Sequence, residues 1–153
     1  MKSNIKRVLV ADDHSLFRRG IVGLLEAADY EVVAQANDGA AAVENTRKLQ
    51  PDLVLLDISM PKMNGLEALK IIKAEFPAIY VVMLTLSEEN SDLLEAVKHG
   101  ANGYLMKDLN YHEFIDMLSG LENGEAAITR KTASQLMVSL ADNTNQLAEP
   151  NSP

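Results

Sequence analysis

The sequence predicts an α/β domain, a parallel sheet with helices packed on both of its faces. Two observations carry this expectation. Short apolar runs of strand length alternate with segments of helical spacing, strand then helix, five times over. The clearest runs lack the polar alternation of a half-exposed strand, so both of their faces are expected to be buried.

The first strand is Val8, Leu9, Val10 and Ala11. Residues 15–28 follow with helical spacing, and Leu16, Ile21, Leu24 and Leu25 mark the face expected to pack inward. The second strand, residues 31–36, is less apolar and is placed nearer a sheet edge. An alanine-rich helix over residues 40–49 begins after Asp38-Gly39. The third strand is Leu53, Val54, Leu55 and Leu56. A third helix carrying Leu66, Leu69, Ile72 and Lys73 runs between Gly65 and Pro77, where proline stops it. The fourth strand covers residues 79–84. Leu93, Leu94 and Val97 define the fourth helix, with Gly100 as its C-terminal cap. Gly103, Tyr104, Leu105 and Met106 form a weaker fifth strand, also placed nearer an edge. Phe114, Ile115 and Leu118 define a fifth helix, which Asn110 caps at its start.

Composition bounds the function. The 153 residues are 47% hydrophobic and 24% charged, which fits one globular domain with an appendage. The net charge of −8 argues against a nucleic-acid-binding surface on this chain, which would need clustered Lys and Arg. With no cysteine, disulfides, thiol catalysis and cysteine-ligated metals are excluded. No stretch is apolar for long enough to cross a membrane, and Met1 to Asn4 lead straight into a strand without a signal peptide. A cytoplasmic protein is expected.

Ligands of such sheets bind beyond the carboxyl ends of the strands. Here the first strand ends in Asp12-Asp13, the third in Asp57, the fourth in Thr85, and the fifth just before Lys107. Singly, each has a plain structural reading: Asp13 can cap the first helix, Asp57 can open a turn, Thr85 is an ordinary strand residue, and Lys107 can be a solvated surface charge. Together they place three carboxylates, a hydroxyl and an ammonium at one sheet edge. Clustered carboxylates repel, which favours protonation or a bound cation. Magnesium suits a site of one or two carboxylates, some waters and a phosphate oxygen. Such a layout fits phosphoryl transfer, with Asp57 as the nucleophile that forms an acyl phosphate. Lys107 and the Thr85 hydroxyl would contact the other phosphoryl oxygens.

These residues resemble the receiver domain of two-component response regulators over residues 5–123. The motifs that carry the resemblance are Val8 to His14, with its Asp12-Asp13 pair; Val54 to Gly65, with Asp57, Met60-Pro61, Met63 and Gly65; Met83-Leu84-Thr85; and Gly100 to Lys107. The resemblance implies a flavodoxin-like (CheY-like) doubly wound sheet of five parallel strands in the order 2-1-3-4-5, with an extra C-terminal helix. It implies that a sensor histidine kinase phosphorylates Asp57. It further implies that Asp12, Asp13, Asp57 and the Ser59 backbone carbonyl hold Mg2+, with Thr85 and Tyr104 as the switch pair and Lys107 at the phosphoryl group. Such a chain is a phosphoacceptor switch and catalyses only its own phosphorylation and dephosphorylation; a homodimer on phosphorylation is expected. Ser59 and Ser87 stand where the family tunes phosphoryl lifetime. Leu86 is larger than the residue usual after the switch hydroxyl and is expected to restrict access to the site. His14 reads as a helix-start residue, and His99 and His112 as helix-surface residues.

Lys107-Asp108 is similar to the NarL/FixJ class, whose output is a LuxR-type helix-turn-helix. Residues 1–124 are therefore expected to be the receiver. Residues 125–153 are expected to be a helix and linker leading to a DNA-binding domain that this chain does not contain. Ala133, Leu136, Met137 and Leu140 form the stripe expected to pack that helix, and residues 143–153 read as linker. A stand-alone receiver acting by protein contacts is the alternative. A dehalogenase-like phosphatase needs a second aspartate two residues after the nucleophile, where this chain has Ser59. A dinucleotide-binding domain needs a glycine-rich loop where it has Asp12 to Ser15.

Overall fold

Successive side chains of a strand point to opposite faces of its sheet, and in this protein both sets are apolar. The computed structural model describes residues 5–87 and 89–148. Its elements are β1 (Arg7–Ala11), α1 (Ser15–Ala27), β2 (Glu31–Ala36), α2 (Gly39–Leu49), β3 (Leu53–Asp57), α3 (Gly65–Glu75), β4 (Tyr80–Thr85), α4 (Asn90–Lys98), β5 (Gly103–Met106), α5 (Tyr111–Gly120), β6 (Ala127–Ile128) and α6 (Arg130–Ala148), with a single 3₁₀ turn at Leu121–Asn123. On one face Leu9, Val54, Leu56, Val81 and Met83 pack against Ala42 and Val43 of α2, Leu69 and Ile72 of α3, and Leu93 of α4. On the other, Val8, Val10, Leu53, Leu55 and Val82 pack against Ile21 and Leu25 of α1 and Phe114 and Leu118 of α5. Each such fully buried leucine or valine contributes about 1.5–3 kcal/mol.

The helix starts carry the chemistry that their sequences offer. The Asp38 carboxylate accepts the Ala41 N–H at the head of α2. Asn64 and Glu67 form a reciprocal capping box on α3, and Asn110 accepts the Glu113 N–H at the head of α5. α3 stops at Glu75, ahead of Pro77. Gly100 follows α4 with a φ of 93°, where a side chain would be strained.

All strands run parallel in the order β2-β1-β3-β4-β5-β6. The five-strand order is as expected, but a sixth strand extends it, so β5 lies second from the edge and is not itself the edge strand. Ala127 and Ile128 pair with Gly103 and Tyr104, and the Ala127 N–H donates to the Asn102 carbonyl. Two residues carry too little pattern to read as a strand. The pairing depends on Gly103, where a Cβ would overlap Ala127.

Two helical faces differ from expectation. In α1, Phe17, Ile21 and Leu25 turn toward the core, while Leu16, one residue off that stripe, is 73% exposed. In α6, Thr132 and Ser139 are buried and Leu136 packs against the core, whereas Met137 is 69% exposed and Leu140 also faces outward. The expected linker is also shorter: α6 continues through residues 143–148, and residues 149–153 lie outside the described residues.

Gly65 is the tightest point beside the strand ends. A Cβ there would overlap the Asp57 carbonyl, and the Gly65 N–H donates to the Ile58 carbonyl at 2.8 Å. Gly65→Ala is expected to cost roughly 2–3 kcal/mol, because backbone must move to admit the methyl group. Urea unfolding measures this, and a midpoint equal to the parent's would contradict the close approach.

Candidate functional site

Strand pairing assembles the site. β1 and β3 are in register with Ala11 opposite Leu56, so the next residues, Asp12 and Asp57, stand side by side. β3 pairs Asp57 with Leu84, which puts Thr85 one step beyond. β4 pairs Thr85 with Met106, and the following Lys107 donates its N–H to the Thr85 carbonyl at 2.9 Å. Asp12 is tied on its other side by its N–H to the Ala36 carbonyl of β2.

The side chains converge accordingly. Lys107 Nζ lies 2.8 Å from Asp12 Oδ2 and 3.3 Å from Asp57 Oδ2. All three side chains are at least nine-tenths buried, so Lys107 is not a solvated surface charge. Its ammonium also sits over the Phe17 ring, 4.8 Å from the centroid. Asp13 is exposed and faces the same cleft. Carboxylate oxygens of Asp12, Asp13 and Asp57 lie within 4.8 Å of one another. Burial, with the Asp12 carboxylate beside it, pushes the Asp57 carboxyl up to about 6 against the pull of Lys107.

The donor set fits a hard divalent cation. Three carboxylates against one ammonium leave an excess of negative charge. Asp12 Oδ2 and Asp57 Oδ2 share the one Lys107 ammonium, and the Asp13 carboxylate lies open to the cleft, so oxygen donors remain for a cation. All-oxygen donors with one exposed carboxylate suit Mg2+, which keeps several of its waters.

The surrounding loops hold their shape by specific contacts. After Asp57, Met60 is buried in the core, and the Met63 carbonyl accepts the Gly39 N–H. Ser59 is exposed and lines the cleft. The cleft measures about 590 Å³, and Leu86 stands 71% exposed along it. Thr85 Oγ1 accepts the Ser87 N–H, and Ser87 Oγ donates to Asp92 Oδ2 at 2.6 Å. Tyr104 is buried, with its hydroxyl beside Ser87. Burial, with Asp92 nearby, pushes that phenol up to about 12.

The structure thus brings Asp12, Asp13, Asp57, Ser59, Thr85 and Lys107 to one cleft, with Tyr104 behind it. Asp13 does not cap α1: His14 holds that position, and its N–H donates to Asp12 Oδ1. Sequence reasoning missed two members of this neighbourhood. Phe17 lies beneath the Lys107 ammonium, and Arg18 donates from Nη1 to the Asp12 carbonyl. Both sit on a helix beside the acidic pair, but nothing in their spacing marks them.

Comparison with known proteins bears on the same residues. A family model described as the response regulator receiver domain matches residues 8–119. The chain is 35% identical over 138 residues to the transcriptional regulatory protein DegU of Brevibacillus brevis, across 90% of this chain and 58% of that protein. It is 35% identical over 137 residues to the nitrate/nitrite response regulator protein NarL of Escherichia coli strain K12, across 89% of this chain and 63% of that protein. It therefore spans about three fifths of the length of these curated relatives. Among solved structures it is similar to a LuxR-family two-component response regulator from Aurantimonas sp. SI85-9A1, with a TM-score of 0.82 and 26% identity, covering 90% of this chain and 99% of that one. Among the described residues no helix is long and apolar enough to cross a membrane.

The Asp57 carboxyl yields a pH prediction. Its folded-state value lies above that of an ordinary carboxylate, so the native state binds this proton more tightly than the unfolded chain does. The resulting stability is present below about pH 4 and is lost as the pH rises through about 6. In buffer free of divalent cations, Asp57→Asn is expected to be more stable than the parent at pH 7 by about 2–3 kcal/mol, with the difference closing toward pH 4. Urea unfolding at both pH values checks this; a difference that does not change with pH would contradict it.

Proposed function

The chain belongs to the response regulator receiver domain family, and from that premise we propose that it is a phosphoacceptor switch, phosphorylated on Asp57 by a sensor histidine kinase. One observation carries the reading. Asp57 closes the central buried strand, and its carboxylate shares one lysine ammonium with a second buried carboxylate at the mouth of an open cleft.

In the proposed reaction an Asp57 carboxylate oxygen attacks phosphorus. A carboxyl–phosphate bond forms, and the bond from phosphorus to the donor breaks, its electron pair leaving with the donor. Asp57 must be ionised to attack, and its raised value puts that requirement above about pH 6 in the metal-free protein. Asp12, Asp13, Asp57 and the Ser59 carbonyl are the groups that would hold Mg2+, which supplies charge neutralisation at the phosphoryl oxygens when bound. Lys107, already centred on the carboxylates, moves onto a phosphoryl oxygen, and the Thr85 hydroxyl turns to another. That movement takes Thr85 Oγ1 away from the Ser87 N–H and changes the packing around Tyr104, which biases the surface toward a partner-binding, homodimeric state. The protein is not a classical enzyme, because the only group turned over is its own carboxylate. Ser59, exposed two residues after Asp57, offers no second carboxylate for a dehalogenase-like hydrolase.

For the whole protein we propose residues 1–124 as the receiver and residues 125–153 as the connection to a helix-turn-helix domain that binds DNA in the cytoplasm. The support is that DegU carries the name of a transcriptional regulatory protein, and that DegU and NarL are both longer than this chain. A DNA-binding domain encoded after Pro153 in the parent reading frame would bear this out, and its absence would favour a stand-alone receiver.

Incubation with a small phosphodonor is expected to give one phosphoryl adduct by intact mass, dependent on Mg2+ and absent in Asp57→Asn. Lys107→Ala is expected to slow its formation by about 10²-fold. An adduct that survives Asp57→Asn would overturn the assignment. Mg2+ at about one hundred times its dissociation constant is expected to stabilise the fold by roughly 2.7 kcal/mol. Asp13→Ala is expected to abolish that gain, and equal melting temperatures with and without Mg2+ in the parent would count against the metal site.

A further inference from the structure

Asp12 is held at every polar group it has. Its N–H donates to the Ala36 carbonyl, its Oδ1 accepts the His14 N–H, and its Oδ2 meets Lys107. The remaining group, its carbonyl, accepts Arg18 Nη1 at 2.6 Å, the short distance of a charge-assisted bond. Arg18 is itself anchored. It lies one turn into α1, with its backbone N–H on the His14 carbonyl, and its Nε donates to Gln35 Oε1 of β2 at 3.0 Å.

That carbonyl belongs to the peptide unit joining Asp12 to Asp13. A peptide unit is planar, so fixing the carbonyl direction fixes where the Asp13 Cα departs. Asp13 is the exposed member of the carboxylate cluster, and no strand pairing constrains it. We propose that Arg18 is a positioning residue for the acidic site: through the Asp12 carbonyl it aims Asp13 at the divalent cation, and it sets cation affinity without touching the cation or the phosphoryl group. The inference rests on the divalent-cation reading of the Asp12, Asp13 and Asp57 cluster.

Positioning and charge predict opposite signs. A guanidinium is permanently positive, so as a bare charge beside the cluster it repels a cation, and its removal would tighten binding. As a positioning residue, its removal weakens binding. Outer partners of metal ligands usually matter by about 10–100-fold in affinity, and Arg18→Ala is expected at the lower end, roughly tenfold weaker. Arg18→Lys keeps a donor within reach of the carbonyl and is expected to recover part of the loss.

The test is calorimetric titration of the full chain with Mg2+ alone, without a phosphodonor, beside thermal unfolding without the metal. Weaker Mg2+ binding in Arg18→Ala with partial recovery in Arg18→Lys supports the inference. Affinity equal to or tighter than the parent's overturns it, including the case where only the metal-free melting temperature falls. If Arg18→Ala does not fold, Gln35→Ala decides: it removes the second anchor of Arg18 from the exposed edge of β2 and is expected to weaken Mg2+ binding in the same direction, and unchanged affinity overturns the inference. A parent that does not bind Mg2+, or an Asp13→Ala variant that binds it as well as the parent, defeats the reading of the cluster itself and Arg18's role with it. Parent-like binding in Arg18→Ala alone defeats only the role of Arg18.

Discussion

The site depends on one contact, the Lys107 ammonium between the carboxylates of Asp12 and Asp57. At an effective dielectric of about 20, two like charges about 4 Å apart repel by roughly 4 kcal/mol, a large share of the stability of a small domain. One ammonium close to both offsets much of that. Lys107 reaches this place because its backbone continues β5 and hydrogen-bonds to β4, and because the Phe17 ring supports the ammonium from the other side. The compensation is incomplete. Asp57 still binds its proton more tightly than a free carboxylate, and Asp13 adds a further negative charge. A site left short of positive charge attracts a cation, and an anionic phosphoryl group is repelled there until a cation makes up the deficit.

The sheet makes such a cluster affordable. In a parallel sheet all carboxyl ends meet at one edge, and the register decides which residues become neighbours. Ala11 opposite Leu56, Asp57 opposite Leu84 and Thr85 opposite Met106 bring Asp12, Asp57 and Lys107 together. Behind that edge both faces of the sheet's centre are sealed by helices, so β3 carries no polar residue until it ends at Asp57. The loop after Asp57 is fixed by side-chain and backbone contacts, with Met60 in the core and Gly65 pressed on the Asp57 backbone.

These relations explain what could be read from the residues in order. The strand ends were legible because a buried strand has one place for polar chemistry, and Asp12, Asp57, Thr85 and Lys107 each occupy it. The cap at Asn110 was legible because a cap is a local bond between near neighbours. Helix faces were less so. Leu16 is as apolar as Phe17, and only the stripe through Ile21 and Leu25 shows which of the two turns inward. In α6 the inward positions include Thr132 and Ser139, so a reading based on apolarity selected Met137 and Leu140, which are rotated out. β6 pairs because Gly103 leaves room for Ala127, a relation across the sheet that neither segment reveals alone. Arg18 and Phe17 act through a carbonyl and an ammonium brought near by folding, and so leave no spacing to find.

The wall of the site opposite Asp12 is built differently. Thr85, Ser87 and Asp92 form a short chain of hydrogen bonds from the strand end to α4. Tyr104 lies next to this chain, with its ring in the core and its hydroxyl beside Ser87. Each hydrogen bond of the chain contributes only about 0.5–1.5 kcal/mol net. In the proposed reaction, a phosphoryl group that draws the Thr85 hydroxyl away from the Ser87 N–H breaks one such bond at the head of the chain and disturbs the groups around the Tyr104 ring. The Asp12 end, tied through backbone and side chain alike, is the fixed place where charge arrives in that proposal, and the Thr85 end, held by single hydrogen bonds, is the part that the arriving charge can move.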